Sequence, residues 1–146
     1  DYLEIHGYGI QDMGPFTFSE TDDYPDFISL AAREVSKDPE NSLGVVMGGS
    51  GQGEAMVANR FPNIRAAVYY GPVIPKSPVD VEGNKSDNPF EIIKLERLHK
   101  DSNILSLGAR FMSVDEAEHA LMIWLETPFS GDERHVRRIK KIEEWK

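Results

Sequence analysis

The sequence predicts an α/β fold, a three-layer, doubly wound parallel sheet of the Rossmann-like kind. Two observations carry this expectation. Three short apolar runs, at 43–48, 65–70 and 103–108, are continuously apolar instead of alternating, as in strands covered on both faces. Helical patterns lie between these runs, and strands alternating with helices fit a parallel sheet with right-handed crossovers.

The elements follow in order. Asp1-Tyr2-Leu3-Glu4 reads as the last turn of a helix, stopped by His6-Gly7. A fourth, weaker strand is expected at Tyr8–Met13. Pro25 to Lys37 reads as a helix, with Pro25 suited to its first turn and Phe27, Leu30, Ala31 and Val35 on its apolar side. A further helix is expected from Ala55 to Arg60. Three later helices open with a short polar residue and a glutamate three positions on, a pairing that caps free amides. The pairs are Asn88 with Glu91, Ser113 with Glu116, and Ser130 with Glu133. The middle helix carries an apolar stripe of Val114, Ala117, Leu121, Trp124 and Leu125.

Composition narrows the function. A chain of 146 residues, 40% hydrophobic and 28% charged, reads as a single globular domain. No apolar run approaches the roughly 18 residues of a membrane span. There are no cysteines, so disulfides and thiolate chemistry are excluded, which fits a cytoplasmic protein. A net charge of -9 repels nucleic acid. An anionic substrate would need a local basic pocket set against that field.

Three segments stand out. Gly48-Gly49-Ser50-Gly51-Gln52-Gly53-Glu54 follows a strand and leads into a helix. Such a turn presents backbone N–H groups backed by a helix N-terminus, suited to a phosphate or an oxyanion. It lacks the Lys-Ser/Thr of a P-loop and the acidic partner of a dinucleotide loop, and a purely structural tight turn is the alternative. Glu54 reads either as a favourable first-turn acid or as a general base beside an oxyanion hole. On the last helix, Arg134, Arg137, Arg138 and Lys141 form one stripe, with Val136, Ile139, Ile142 and Trp145 expected on the buried side. The stripe is either a solvated face or a phosphate grip, with Arg134 and Arg138 on one group. The third segment, 71–89, holds four of the nine prolines and has no period. A connection that long is usually functional or mobile. It reads as an inserted arm resting on a neighbouring subunit, or as a free surface loop. No set of side chains has metal-ligand spacing.

Taken together these residues resemble the ribose-5-phosphate isomerase type B family. The resemblance rests on Gly48 to Glu54, Ala58-Asn59-Arg60, Ile64-Arg65-Ala66-Ala67 and Thr21-Asp22-Asp23-Tyr24-Pro25. It extends to His99 with Asp101 and Asn103, Leu107-Gly108-Ala109-Arg110, and Thr127-Pro128-Phe129-Ser130 running into Arg134-His135. Galactose-6-phosphate isomerase subunits share several of these motifs. The resemblance implies aldose–ketose isomerisation of a sugar phosphate through an enediol, with no metal or cofactor. It also implies a homodimer or homotetramer with sites at the subunit interface.

The resemblance assigns roles as well. One branch of the family takes its base from a cysteine where this chain has Gly48; the other places a glutamate where Glu54 stands. The amides of Gly49, Gly51, Gln52 and Gly53 would hold the enediolate, with Ser50 as a polar contact. Tyr24 would line the sugar pocket, and His99 would assist ring opening or be a polar helix end. Arg134 and Arg138 would hold the phosphate, and Arg110 would reach a neighbouring subunit's site. His6, His119 and His135 are expected at the surface or behind the site. Lys100 replaces a common asparagine. The family's first strand, with its Asp-His pair, is missing from the sequence, so either a truncated chain or another element in that strand's place is expected. Isomerisation of galactose or allose 6-phosphate, or a non-catalytic phosphosugar-binding subunit, are the rival readings.

Overall fold

A computed structural model describes residues 2–145. Helix α1 (Tyr2–Ile5) is followed by α2 (Tyr24–Lys37), β1 (Gly44–Gly48), α3 (Gln52–Ala58) and β2 (Ala66–Tyr69). Then come α4 (Glu91–Lys100), β3 (Ile104–Gly108), α5 (Val114–Glu126) and α6 (Glu133–Glu144). The three strands form a parallel sheet in the order β1-β3-β2, with Gly44 and Ala66 both in register with Ile104.

Helices cover both faces. On one side Val46 and Ile104 pack with Ile28, Ala32 and Val35 of α2, Ala58 of α3, and Ile64. On the other, Tyr69, Leu105 and Leu107 pack with Ile93 of α4 and Ala120, Leu121 and Trp124 of α5. Strand β3 is buried along its whole length, as the continuous apolar run required. Trp124 donates its indole N–H to Ser102 Oγ at 2.8 Å, which satisfies the one polar atom of the largest buried side chain.

The expected strand at Tyr8–Met13 does not form; that segment is coil between Gly7 and Gly14, both at positive φ. A strand exists only by pairing, and among the described residues β1 pairs with β3 alone. Residues 9–15 instead line a groove of about 930 Å³ beside β1, with Val45 and Met47 exposed to it.

Other expectations shift in detail. The buried face of α2 is Ile28, Ala32 and Val35, while Leu30 is exposed. Helix α3 begins at Gln52, so Glu54 lies in its first turn. Of the three capping pairs only Ser113 and Glu116 form a reciprocal box. Asn88 accepts from Phe90 N–H in the turn before α4, and Glu91 instead accepts from the Ser86 hydroxyl at 2.7 Å. Asp132, not Ser130, occupies the cap position of α6. On α6 the expected buried side is not buried: Ile142 and Trp145 are exposed, and His135 is the buried residue. Val114 of α5 is exposed as well.

Two arginines tie the far end of the sheet together. Arg65 donates to Asp101 Oδ2 and Glu143 Oε1, both at 3.1 Å, and Arg97 donates to Asp101 Oδ1 at 2.9 Å. Asp101 itself sits in the left-handed region, at φ 46°, where α4 ends. The 71–89 arm closes on itself, at its base by Val73 N–H to Pro89 O (2.7 Å) and near its tip by Val79 N–H to Asn84 O (2.8 Å).

Candidate active site

The glycine loop lies against the C-terminal ends of β1 and β3, where ligands gather in open parallel sheets. Gly51 takes a φ of 72° and seats its backbone on Leu107 and Gly108 so closely that a Cβ would stand 3.1 Å from the Leu107 carbonyl carbon. Only glycine fits that conformation and that approach. The Ser106 hydroxyl, buried on β3, donates to Gly51 O at 2.7 Å. Ala109 N–H and Arg110 N–H donate to Gly48 O (2.9 Å) and Gly49 O (3.1 Å). With its carbonyls bound from below, the loop is a fixed platform. Ser50 Oγ accepts from Gln52 N–H at 3.3 Å and rounds the turn.

Three predicted site residues converge on this platform. Glu54 is buried at 7% exposure in the first turn of α3, and its carboxylate occupies the space a Cβ on Gly48 would need. The Tyr24 phenol crosses Gly53, where a Cβ would meet its hydroxyl at 2.5 Å. The Arg110 guanidinium lies over Gly49, with its central carbon 2.9 Å from a Cβ position there. Arg110 thus packs against the loop of its own chain. A buried carboxylate, a phenol and a guanidinium therefore lie against one glycine loop. This is a proton acceptor beside groups that stabilise negative oxygen.

A second group forms where α4 ends and α6 begins. The His99 and His135 rings stack at 4.3 Å between centroids, 15° from parallel. Arg134 Nε donates to His135 Nε2 at 3.2 Å, which puts the His135 proton on Nδ1, a buried atom without a partner. Asp132 lies 4.0 Å from the Arg134 guanidinium and 3.8 Å from His135 Nε2. Both imidazoles are pushed below the usual histidine range. For His99 the causes are burial, then Lys100 and Arg134, with Asp132 and Asp80 opposing. For His135 they are burial, then His99, Arg134 and Arg138, with Asp132 opposing. Arg138 is exposed on the next turn of α6. Arg137 and Lys141 of the same stripe line a groove with Val136 and Lys140.

Among the described residues, no hydrogen bond, ion pair or ring contact joins the first group to the second. Of the two expectations for His135, at the surface or behind the site, the second agrees with the structure: it is the buried ring on which His99 rests. Sequence reasoning missed Ser106, although it is the single polar side chain in the run from Ile104 to Gly108. His6 and His119 lie outside both groups, His6 bonded to Tyr2 O and His119 edge-on to Phe90. Among the described residues, no three His, Asp or Glu side chains are grouped to hold a metal ion, and no helix is long and apolar enough to cross a membrane.

Comparison with known proteins agrees with this geometry. The ribose-5-phosphate isomerase B of Mycolicibacterium paratuberculosis is 33% identical over 144 residues, spanning 99% of this chain and 79% of that protein. The Escherichia coli K12 enzyme of the same name is 29% identical over 141 residues, or 97% and 80%. Among solved structures, ribose-5-phosphate isomerase B from Mycoplasma genitalium, with bound ribulose-5-phosphate, superposes with a TM-score of 0.82 at 30% identity. The superposition covers 99% of this chain and 82% of that one. The Thermotoga maritima protein gives 0.77 at 31% identity, with 98% and 84% covered. A sequence profile described as Ribose/Galactose Isomerase matches residues 1–77 and 89–142; with nearly the whole chain inside that match and the sheet, loop and carboxylate arranged as above, the chain belongs to the ribose/galactose isomerase family.

Proposed function

We propose that the protein interconverts ribose 5-phosphate and ribulose 5-phosphate, an aldose–ketose isomerisation through an enediol. The observation that carries the proposal is the buried Glu54 carboxylate beside the amide platform of Gly49 to Gly53. In the open-chain aldose, Glu54 takes the proton from C2. The electron pair of that C–H bond becomes the C1–C2 double bond, and the C1 carbonyl oxygen becomes an enediolate oxygen held by the loop amides and Ser50. Return of the proton to C1, with the O2 proton passing to O1, leaves a carbonyl at C2. No oxidant or reductant is consumed.

The second group supplies what the first lacks. Arg134 and Arg138 are one turn apart and present the planar forks that suit a phosphate monoester. His99 beside them serves the sugar end in ring opening. Because the two groups are separate within one chain, the reading includes a homodimer or homotetramer in which the His99 group of one copy faces the Glu54 group of another. Tyr24 and Arg110 then line the sugar pocket from the loop side.

Glu54→Gln tests the assignment. Sugar-phosphate binding is expected to persist while turnover falls roughly a hundredfold or more, as for loss of a general base. Near-wild-type turnover would leave Glu54 as a helix-start acid only. Assaying ribose 5-phosphate beside allose and galactose 6-phosphates identifies the sugar, and no turnover of any of them would favour a phosphosugar-binding subunit.

A further inference from the structure

The face of β3 turned toward α3 is graded in size. Ile104, Ser106 and Gly108 alternate onto it. Ile104 packs with Ala58 of α3, and bare Gly108 lets Ser50 O lie 2.9 Å from where its Cβ would stand. Between them is Ser106, at 0% exposure. A buried hydroxyl is unfavourable unless it is hydrogen-bonded, and this one donates to Gly51 O at 2.7 Å. Gly51 O does not need that bond for its own satisfaction, because Ala55 N–H already donates to it at 3.1 Å at the start of α3. The two bonds differ in what they fix. The Ala55 bond ties the carbonyl to its own helix, and the Ser106 bond ties it to the sheet. Gly48 O and Gly49 O are held by the backbone amides of Ala109 and Arg110. Among the described residues, Ser106 is thus the only side chain that bonds a carbonyl of the loop.

We propose that Ser106 is a positioning residue for the isomerisation: its hydroxyl sets the Gly51–Gln52 peptide against β3 and so aims the Gln52 amide at the enediolate oxygen. This rests on the reading of the loop given above. A trans peptide is planar, with its N–H opposite its C=O, so a carbonyl drawn down to the strand turns the Gln52 N–H away from the strand. There it meets Ser50 Oγ at 3.3 Å. That bond is longer than an ordinary N–H···O contact, and a stronger acceptor such as an enediolate oxygen can replace it. Donation to the carbonyl also polarises the peptide and makes its N–H a better donor, because linked hydrogen bonds strengthen one another. Glu54, in the first turn of α3, is carried by the same anchored helix start.

Ser106→Ala removes the donor and leaves no polar atom unpaired, since Gly51 O keeps Ala55 N–H. Turnover of ribose 5-phosphate is expected to fall about tenfold, short of the loss from deleting an oxyanion donor outright, with KM within about twofold of wild type. Affinity for an enediolate mimic, a phosphosugar hydroxamate, should fall by the same factor as turnover, because the mimic needs the aimed amide and the ground-state sugar does not. Unchanged affinity for the mimic overturns the proposal, since a loss of folded molecules lowers turnover without weakening binding by those that remain. The Gly51 carbonyl 13C and Gln52 amide 15N signals of the substrate-free protein should both shift, and signals that stay put also overturn it. Ser106→Cys refills the volume with a weak donor and should behave as the alanine variant does. Wild-type affinity for the mimic in the cysteine variant would assign the effect to packing and overturn the role of the hydrogen bond. If the wild-type protein isomerises no sugar phosphate, the proposed function fails and this assignment falls with it. Wild-type turnover combined with full mimic affinity in Ser106→Ala sinks the Ser106 assignment alone.

Discussion

Gly48 and Glu54 compete for one volume: a Cβ on Gly48 would fall inside the Glu54 carboxylate. The strand end can offer a side chain, or the start of α3 can offer a buried acid, but not both. The absence of a side chain at 48 is therefore a condition for Glu54 to sit over the loop, independent of any backbone strain.

Gly48→Ala should be more harmful than its size implies. The new methyl must displace a buried carboxylate or shift the start of α3, an overpacking cost of about 1–3 kcal/mol. Thermal unfolding should show a lowered midpoint, and turnover should fall with it. Adding Glu54→Gly should restore much of the stability and none of the turnover. Such non-additivity between touching residues is what a double-mutant cycle measures.

Arg138→Ala should weaken sugar-phosphate affinity by about 1.5–3 kcal/mol, the range for a hydrogen bond to a charged group, and leave the unfolding midpoint near the wild-type value, because Arg138 is exposed. Isothermal titration with a phosphosugar measures the first effect. Unchanged affinity would return the arginine to the solvated surface.

Glu96 makes the fold's stability depend on pH. It is buried at 9% exposure, Oε2 has no partner, and burial raises its pKa from 4.5 to about 8. Between those values the unfolded chain has released the proton and the folded chain still holds it, so the folded state binds more protons and stability falls as pH rises. The stabilising contribution is complete below 4.5 and gone above about 8, a change on the order of a few kcal/mol. Tyr69, whose buried hydroxyl is pushed up to about 12 by burial, then Glu116 and Glu96, lies beyond that window. Glu96→Gln should flatten the dependence, with urea unfolding compared near pH 5 and pH 8.5. An equally steep decline in the variant would place its origin elsewhere.

The parts of the fold and site readable in the sequence were those set by local rules. Strands β1, β2 and β3 all appear as continuous apolar runs, although only β3 is buried along its whole length, and the Ser113–Glu116 box forms because its partners are three residues apart. The glycine loop and Glu54 could be read from order alone, since strand, turn and helix start are contiguous. What failed depended on distant partners. Tyr8–Met13 has the composition of a strand, yet it runs beside the open edge of β1 as coil without pairing to it. The apolar stripe of α6 is real as a pattern, but Ile142 and Trp145 find no surface to cover them within the chain. The stacking of His99 on His135 joins residues 36 apart in the chain (135 − 99) through the packing of α4 against α6, which no local period records.

Asp101 has a further consequence for how the sequence can change over time. Its two oxygens hold Arg65, at the start of β2, and Arg97, on α4, while Arg65 also holds Glu143 near the end of α6. Four positions spread across 79 residues (65 to 143) thus answer to one another through a single side chain and its left-handed backbone. A substitution at Asp101 takes a carboxylate from both arginines at once, so tolerated changes there should arrive in correlated sets. Lineages that drift at position 101 would be expected to have altered 65 and 97 as well.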